Sequence, residues 1–423
     1  MGEVRTAIMR IDIKSVIQIA AWSLYDLANQ FFALNIVSLY FVKWLVLVKG
    51  VPELFYSVAF AVSIFFVAVL SPLLGAVSDA AQRHRLFLVI FTGVAVFFTM
   101  ALGWTQNVIL ALVFFAVANL GCQLGSVFYN ALMVNIAPPE RIGFISGVGR
   151  MFGYSGAAVS VFLIKPIVLN FGYHETFVPT GFFFLVFALP CMVLVKDREP
   201  KGLKVQSVFS RELAVRVYQS FKKNFSSTSH YKGLFPFFQS IFFSLAAVNV
   251  LVLFMAVYAS EVFKLDEAAV INLVAFAVLF CVGGSLFSGW LSDRIGCRRC
   301  LFLVYGLWIC SFIAGGLVRE PKYIVFIAAV VGIALGSVWV VIRAMAIRLV
   351  PQEKVGEMFG LFHVVGYSAA IMGALFWGTI LFLAQPLGEW RYRLALLSLN
   401  LFILLGIFFL RKVPDPRDRR VLA

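Results

Sequence analysis

Long apolar runs separated by short polar stretches set the rhythm of this chain. Residues 54–74, 86–102, 108–120, 234–257 and 270–291 carry few or no charges. A helix needs about 20 apolar residues to cross the hydrocarbon core of a bilayer. Lipid offers a backbone no hydrogen-bond partners, so such runs cross it as helices. The pattern predicts twelve spans, near 18–42, 54–78, 86–104, 107–136, 142–168, 177–195, 234–258, 268–291, 300–318, 322–349, 356–383 and 393–411. The third and ninth are short and the eleventh is long.

Composition strengthens this pattern. Of the 423 residues, 62% are hydrophobic and 13% are charged, against about 25% charged in a soluble domain. A single soluble core of this length has no room for so much apolar side chain. The expected fold class is therefore all-α integral membrane. The net charge of +15 would suit nucleic acid, but its placement argues for a topogenic signal. With the N-terminus inside, most Lys and Arg fall on the cytosolic side, including the short basic segments 1–17, 79–85, 292–299 and 412–423. That bias predicts cytosolic N- and C-termini, a lipid bilayer as partner, with some attraction to anionic lipid, and no nucleic acid. Residues 1–17 are mixed in charge, and the first apolar run is long and lacks a small-residue cleavage site. No cleavable signal peptide is expected.

The six cysteines suggest no disulfide framework. Cys122, Cys191, Cys281 and Cys310 fall in spans and read as small apolar residues. Cys297 and Cys300 form a lone C-x-x-C, a weak pattern for zinc or redox chemistry without a second pair.

The chain repeats itself. Gly75-Ala-Val-Ser-Asp79-Ala-Ala-Gln-Arg83-His-Arg85 recurs as Gly289-Trp-Leu-Ser-Asp293-Arg294-Ile-Gly-Cys-Arg298-Arg299. Pro138, Glu140, Gly143, Gly147 and Gly153-Tyr154-Ser155 recur as Pro351, Glu353, Gly356, Gly360 and Gly366-Tyr367-Ser368. Two motifs at one nearly constant offset imply two homologous halves of six spans, 1–195 and 234–423. The basic stretch 196–233 between them reads as a cytosolic linker, with 207–225 a candidate amphipathic helix on the membrane surface. This layout resembles that of the major facilitator transporters. The resemblance implies two pseudo-symmetric six-helix bundles that rock about a site near the midplane.

The repeated loop is similar to that family's G-x-x-x-D-R-x-G-R-R signature. Either copy alone is also explained as a charged turn between spans; the repeated spacing favours the family reading. Gly75, Asp79 and Arg83, with Gly289, Asp293, Arg294 and Arg298, are thus candidate parts of a cytosolic gate. Glycine is expected to let two helices approach closely there, and the Asp to face a helix N-terminus. The first copy lacks the Arg after Asp79 and the following Gly.

Three stretches resemble a narrower branch, one that includes the fungal autophagy-related vacuolar amino-acid effluxers. Trp22-Ser-Leu-Tyr25-Asp26-Leu-Ala-Asn29-Gln-Phe is similar to its opening W-x-L-Y-D-x-A-N-S-x-[FY]. Phe128-Tyr129-Asn130-Ala131-Leu132 and Ile145-Ser146-Gly147-Val-Gly149 are similar to its F-Y-N-A-L-L and R-x-S-G-L-G-W stretches. Arg343, Pro351 and Phe359-Gly360-Leu361 are similar to its S-R-S, L-I-P and F-F-G-L-Y elements. Arg150 stands where the branch has Trp, and His363 lies outside its usual pattern. Glycoside–cation symporters also carry early acidic and polar residues and form the alternative family.

Ionisable groups inside a span cost about 2.5–3.5 kcal/mol on insertion scales and mark pathways by default. Asp26, Arg150, Arg343 and His363 all fall about 9–14 Å inside the cytosolic edge of the core. Arg150 and His363 match between the repeats, as do Asn130 and Arg343. Each has a plainer reading. Asp26 is also an acceptor for nearby amides, although Trp22, Asn29 and Gln30 share its helical face. Arg150 is also a structural partner for Asp26. Arg343 is also able to snorkel to the surface, and His363 to be a satisfied polar residue. Asn119, Gln123, Asn130, Gln239 and Asn249 fit cavity lining or interhelical hydrogen bonds. The glycines of the fifth and eleventh spans read as close helix contacts; Gly147-x-Gly149 follows no strand and is no nucleotide loop.

Two fixed positive charges, one acid and one histidine suit an anionic or zwitterionic solute. The expectation is a secondary transporter of a small organic solute such as an amino acid, coupled to protons or Na+, with Asp26 as the coupling site. The alternatives are a sugar–cation symporter and a non-transporting receptor or scaffold. No Walker motif, metal set or nucleophile–base pair is seen, so neither a cofactor nor an enzyme activity is expected. A monomer is expected in the cell (inner) membrane, or in the vacuolar membrane if the source is fungal.

Overall fold

The computed structural model describes residues 13–81, 83–136, 142–197, 233–349 and 355–414. Nearly all of the expected linker, with its candidate surface helix, lies outside the described residues. So do Pro138, Glu140, Pro351 and Glu353.

Every regular element among the described residues is helical. Twelve helical segments are long and apolar enough to cross a membrane, as the apolar pattern predicts. The first, α1, runs from Ile13 to Val48. It is regular over Ile13–Phe32, π-helical over Ala33–Leu39, regular over Tyr40–Lys43 and π-helical again over Trp44–Val48. The others are α2 (Glu53–Ala81), α3 (His84–Leu102), α4 (Val108–Ile136), α5 (Ile142–Phe171), α6 (Phe177–Leu194), α7 (Leu234–Phe263), α8 (Glu267–Ile295), α9 (Cys297–Leu317), α10 (Ile324–Arg348), α11 (Val355–Leu383) and α12 (Trp390–Leu410). The chain is a multi-pass membrane protein. Each helix reverses the chain, so the start of α1 and the end of α12 share one face, called here the terminal face. The α1–α2 and α7–α8 turns lie at the opposite, far face.

The helices sort into two sets. In the first, α1 packs on α5 and α6, α3 on α4 and α6, and α2 on α4. In the second, α7 packs on α11 and α12, α9 on α10 and α12, and α8 on α10. The sets meet where α2 packs on α11, α5 on α8, and the π-helical part of α1 on α7. Outer faces are apolar, for example Phe65 and Phe66 of α2 and Leu286 and Phe287 of α8. That pattern suits lipid and would be ruinous in water.

Small residues set the closest packing. A Cβ on Gly336 of α10 would collide with the Cys281 carbonyl oxygen of α8, and one on Gly284 of α8 would lie 2.6 Å from Ile333 Cα of α10. Lipid tails supply no hydrophobic drive for helix pairing, so such backbone approach supplies the contact. The α8–α9 turn depends on Gly296, whose φ of 94° and ψ of 146° suit glycine alone.

The two loop motifs brace their halves alike. Arg85 Nε donates to the Met192 carbonyl in the last turn of α6, at 2.5 Å. Arg298 Nη2 donates to the Arg411 carbonyl just after α12, at 2.8 Å. Each arginine thus satisfies a carbonyl left over at the end of its half's last helix. In the first half the Arg85 N–H also donates to the Asp197 carboxylate, 3.0 Å away, which suits the positive end of α3.

Candidate functional site

Asp26 is buried on α1, only 8% exposed. Its carboxylate lies against Gly153 of α5: a Cβ there would sit 2.8 Å from Oδ2 and 3.1 Å from Cγ. One turn earlier, Trp22 Nε1 donates to the Tyr129 carbonyl of α4 at 2.9 Å. The Trp22 and Tyr129 rings stack at 4.5 Å, and Tyr25 stacks on Tyr129 at 4.9 Å. The Tyr25 and Thr92 hydroxyls are 2.7 Å apart, tying α1 to α3. Gly149 makes room for the indole, since a Cβ would fall 2.6 Å from Trp22 Cζ3. This aromatic clamp fixes the α1 segment that carries Asp26. Asn29 Nδ2 donates to Ser126 Oγ of α4 at 3.4 Å. So the resemblance-bearing stretches around residues 22–29, 128–132 and 145–149 meet in space.

The other predicted residues are more spread out. Asn130 is exposed on α4, Arg343 is half-buried on α10, and His363 is exposed on α11. The His363 ring lies 6.2 Å from that of Tyr367. Arg343 and His363 belong to the other helix set from Asp26. The side chains of Arg150 and Asp79 lie outside the described residues.

At the terminal face, Asp293 Oδ1 accepts from Arg348 Nη2 at the end of α10, 2.7 Å away. Arg294 covers the Trp290 ring at 4.3 Å, and Arg83 is exposed. The expected close helix approach at the motif glycines is corrected. Gly75 has no neighbour within 4 Å, and Gly289 meets Val340 only at 3.6 Å. Of the α5 and α11 glycines, Gly149 and Gly153 are in tight contact, whereas Gly366 faces open space. Cys297 and Cys300 are buried and not joined in a disulfide, and the Cys300 thiol donates to the Ser288 carbonyl at 3.7 Å. No trio of His, Cys, Asp or Glu among the described residues is placed to hold a metal.

The structure also shows a charged site that the sequence reading missed. A first span ending near residue 42 leaves Lys43 in an external loop. Helical backbone instead continues to Val48, which draws Lys43 into the wall between the two sets, where its side chain is 0% exposed. Lys43 Nζ donates to Glu267 Oε2 of α8 at 2.6 Å. The Tyr173 hydroxyl, from the α5–α6 turn, donates to the same oxygen at 2.7 Å. Burial first, and then Glu267, push the Tyr173 phenol up, so it stays a donor. Losing one partner of such a buried pair costs about 3–5 kcal/mol. Glu53, the first residue of α2, is likewise buried and accepts from the Tyr392 hydroxyl of α12. Lys165 Nζ donates to Asn272 Oδ1 at 2.8 Å, and Tyr56 meets Phe254 edge-on at 5.6 Å. These contacts join the two sets at the far face. An apolar stretch extended through Val48 is the one signal in the sequence that could have found Lys43.

Comparisons agree with this architecture. An uncharacterized protein of Aquifex aeolicus (strain VF5) is 25% identical over 409 residues, spanning 96% of this chain and 99% of its own. The uncharacterized MFS-type transporter YxiO of Bacillus subtilis (strain 168) is 23% identical over 419 residues, spanning 93% and 94%. Among solved structures, the nucleoside transporter NupG superposes with a TM-score of 0.72 at 12% identity, covering 95% of this chain and 99% of that one. At that identity the likeness shows the fold alone. The sequence profile of the Major Facilitator Superfamily matches residues 27–314 and 237–422, and with the twelve-helix architecture this shows that the chain belongs to the Major Facilitator Superfamily.

Proposed function

We propose that this transporter moves a small zwitterionic or anionic organic solute, such as an amino acid, by alternating access, and that Asp26 couples the movement to protons. The observation that supports coupling is the seat of Asp26. A carboxylate is held inside a span, against a glycine that leaves it room and beside an aromatic clamp that fixes its helix. Intramembrane acids of this kind mark ion and proton pathways. Arg343, half-buried on α10, supplies a planar, permanently charged fork suited to a solute carboxylate. Asn29, Asn130, Arg150 and His363 complete the proposed solute region, and residues 1–195 and 234–423 are the proposed moving halves. The terminal face, with residues 196–233, is proposed to be cytosolic in the cell membrane, because the basic segments gather there.

Transport in proteoliposomes, with a panel of labelled amino acids, tests this reading. Wild type is expected to accumulate one of them in response to a pH gradient. Asp26→Asn, which mimics the protonated acid permanently, is expected to lose that accumulation while still exchanging labelled for unlabelled solute. Accumulation by Asp26→Asn equal to wild type would remove Asp26 from coupling. Movement of no amino acid by wild type would overturn the solute class.

A further inference from the structure

We infer that Lys43 and Glu267 form an ionic latch that holds the far face closed, and that breaking this pair is the step that opens it. The inference rests on the alternating-access reading, and goes beyond it by assigning the closing contact. Three observations carry it. The pair joins the two helix sets, with Lys43 on α1 and Glu267 in the first turn of α8. The lysine is fully buried, so its charge has the Glu267 carboxylate as counter-charge and no exposed surface. The carboxylate is seated from a third direction by the Tyr173 hydroxyl, and Lys43 also lies 5.8 Å from the centre of the Tyr173 ring.

The physics makes this pair suited to a switch. A charged pair taken from water loses hydration, and its mutual attraction offsets that loss only when the geometry is good. Here the geometry is good while the halves touch. If the halves part, water enters and hydrates both charges, so the open state carries little penalty. The pair therefore removes the penalty that either charge alone would impose on the closed face, and is easily lost once water is admitted. A purely apolar seal would instead expose apolar surface on opening and resist it. Position matters as well. The π-helical segments of α1 flank Lys43 on both sides. A π turn is an irregularity that re-aims side chains and often marks functional segments.

Removing one charge should have a directional effect. Glu267→Gln leaves Lys43 buried without its counter-charge, which penalises the closed far face and leaves the hydrated open face almost unchanged. Lys43→Met removes the cation and leaves Glu267 facing an apolar wall, with the same sense. The exchanged double variant, Lys43→Glu with Glu267→Lys, restores a pair across the same contact.

The test is electron–electron double resonance on the full chain in nanodiscs. One spin-label pair, at Trp104 and Lys322, reports the far face; a second, at Leu86 and Leu303, reports the terminal face. All four side chains are exposed. Glu267→Gln is expected to shift the far-face distribution to longer distances and the terminal-face distribution to shorter ones. The exchanged pair is expected to move both back towards wild type. Local unfolding would lengthen the far-face distance without shortening the other, and would overturn the latch. If Glu267→Gln does not fold, Lys43→Met gives the same reading. Two populations at each face that neither variant shifts would overturn the latch and leave alternating access standing. A single unchanging distance at both faces, in wild type and variants alike, would overturn the alternating-access reading itself.

Discussion

Gly153 and Gly366 hold matching places in the two repeats, yet their surroundings differ. A Cβ on Gly153 would press on the Asp26 carboxylate, whereas one on Gly366 would meet nothing within 4 Å. Overpacking costs about 1–3 kcal/mol, while alanine in an unobstructed helix site gains about 0.5–1 kcal/mol over glycine. Gly153→Ala is therefore expected to lower the thermal unfolding midpoint in detergent, and Gly366→Ala to leave it level or raise it. Equal effects would mean that Asp26 yields without strain. The same measurement checks the clamp. Trp22→Phe keeps an aromatic ring but loses the hydrogen bond to the Tyr129 carbonyl, at a cost of about 0.5–1.5 kcal/mol. The expected loss is smaller than that of Gly153→Ala, because no group is forced to move.

At the scale of elements, turns and irregular helix carry more specificity than the regular spans. Gly296 sits at a φ of 94° between α8 and α9, a region where a side chain costs about 1–3 kcal/mol. Gly296→Ala is expected to destabilise the protein by that amount. Gly283→Ala, on α8 with no neighbour within 4 Å, serves as the control. The π-helical segment Ala33–Leu39 is held from outside. Asn35 Nδ2 donates to Thr180 Oγ1 of α6 at 3.2 Å, and Asn35 Oδ1 accepts from Ser160 Oγ of α5 at 3.1 Å. Asn35→Leu would strip partners from both hydroxyls in a buried site, costing about 1–3 kcal/mol. Faster hydrogen exchange confined to residues 33–39 would show that these bonds hold the irregular turn. Unchanged exchange there would show that packing alone does.

For the whole molecule, the arrangement of the two sets decides which face is shut. The buried Lys43–Glu267 pair, the Glu53–Tyr392 contact and the α2–α11 packing all join the sets at the far face. A membrane-impermeant thiol reagent checks the proposed orientation in a cysteine-free background. A cysteine at Lys322 is expected to label from outside intact cells, and one at Arg299 only after permeabilisation; both side chains are exposed. Labelling of the Arg299 position in intact cells would reverse the topology.

The sequence by itself determined the helix count, because each crossing needs its own long apolar run and lipid permits no other backbone there. The stretches that resemble the narrower branch also pointed to Trp22, Tyr129 and Gly149, residues that do meet in the structure. Pairing across the halves was beyond it. Lys43 reads as a loop charge until α1 is seen to continue past it, and Glu267 reads as an ordinary first-turn acid until α8 lies against α1. Nothing local distinguishes Gly153 from Gly366 either. Both are glycines in apolar helices, and the difference is the Asp26 carboxylate that tertiary packing brings to one of them. Apolar period and length are local properties of the chain. The partner of a buried charge is fixed by residues far away in sequence, and only the assembled helices supply it.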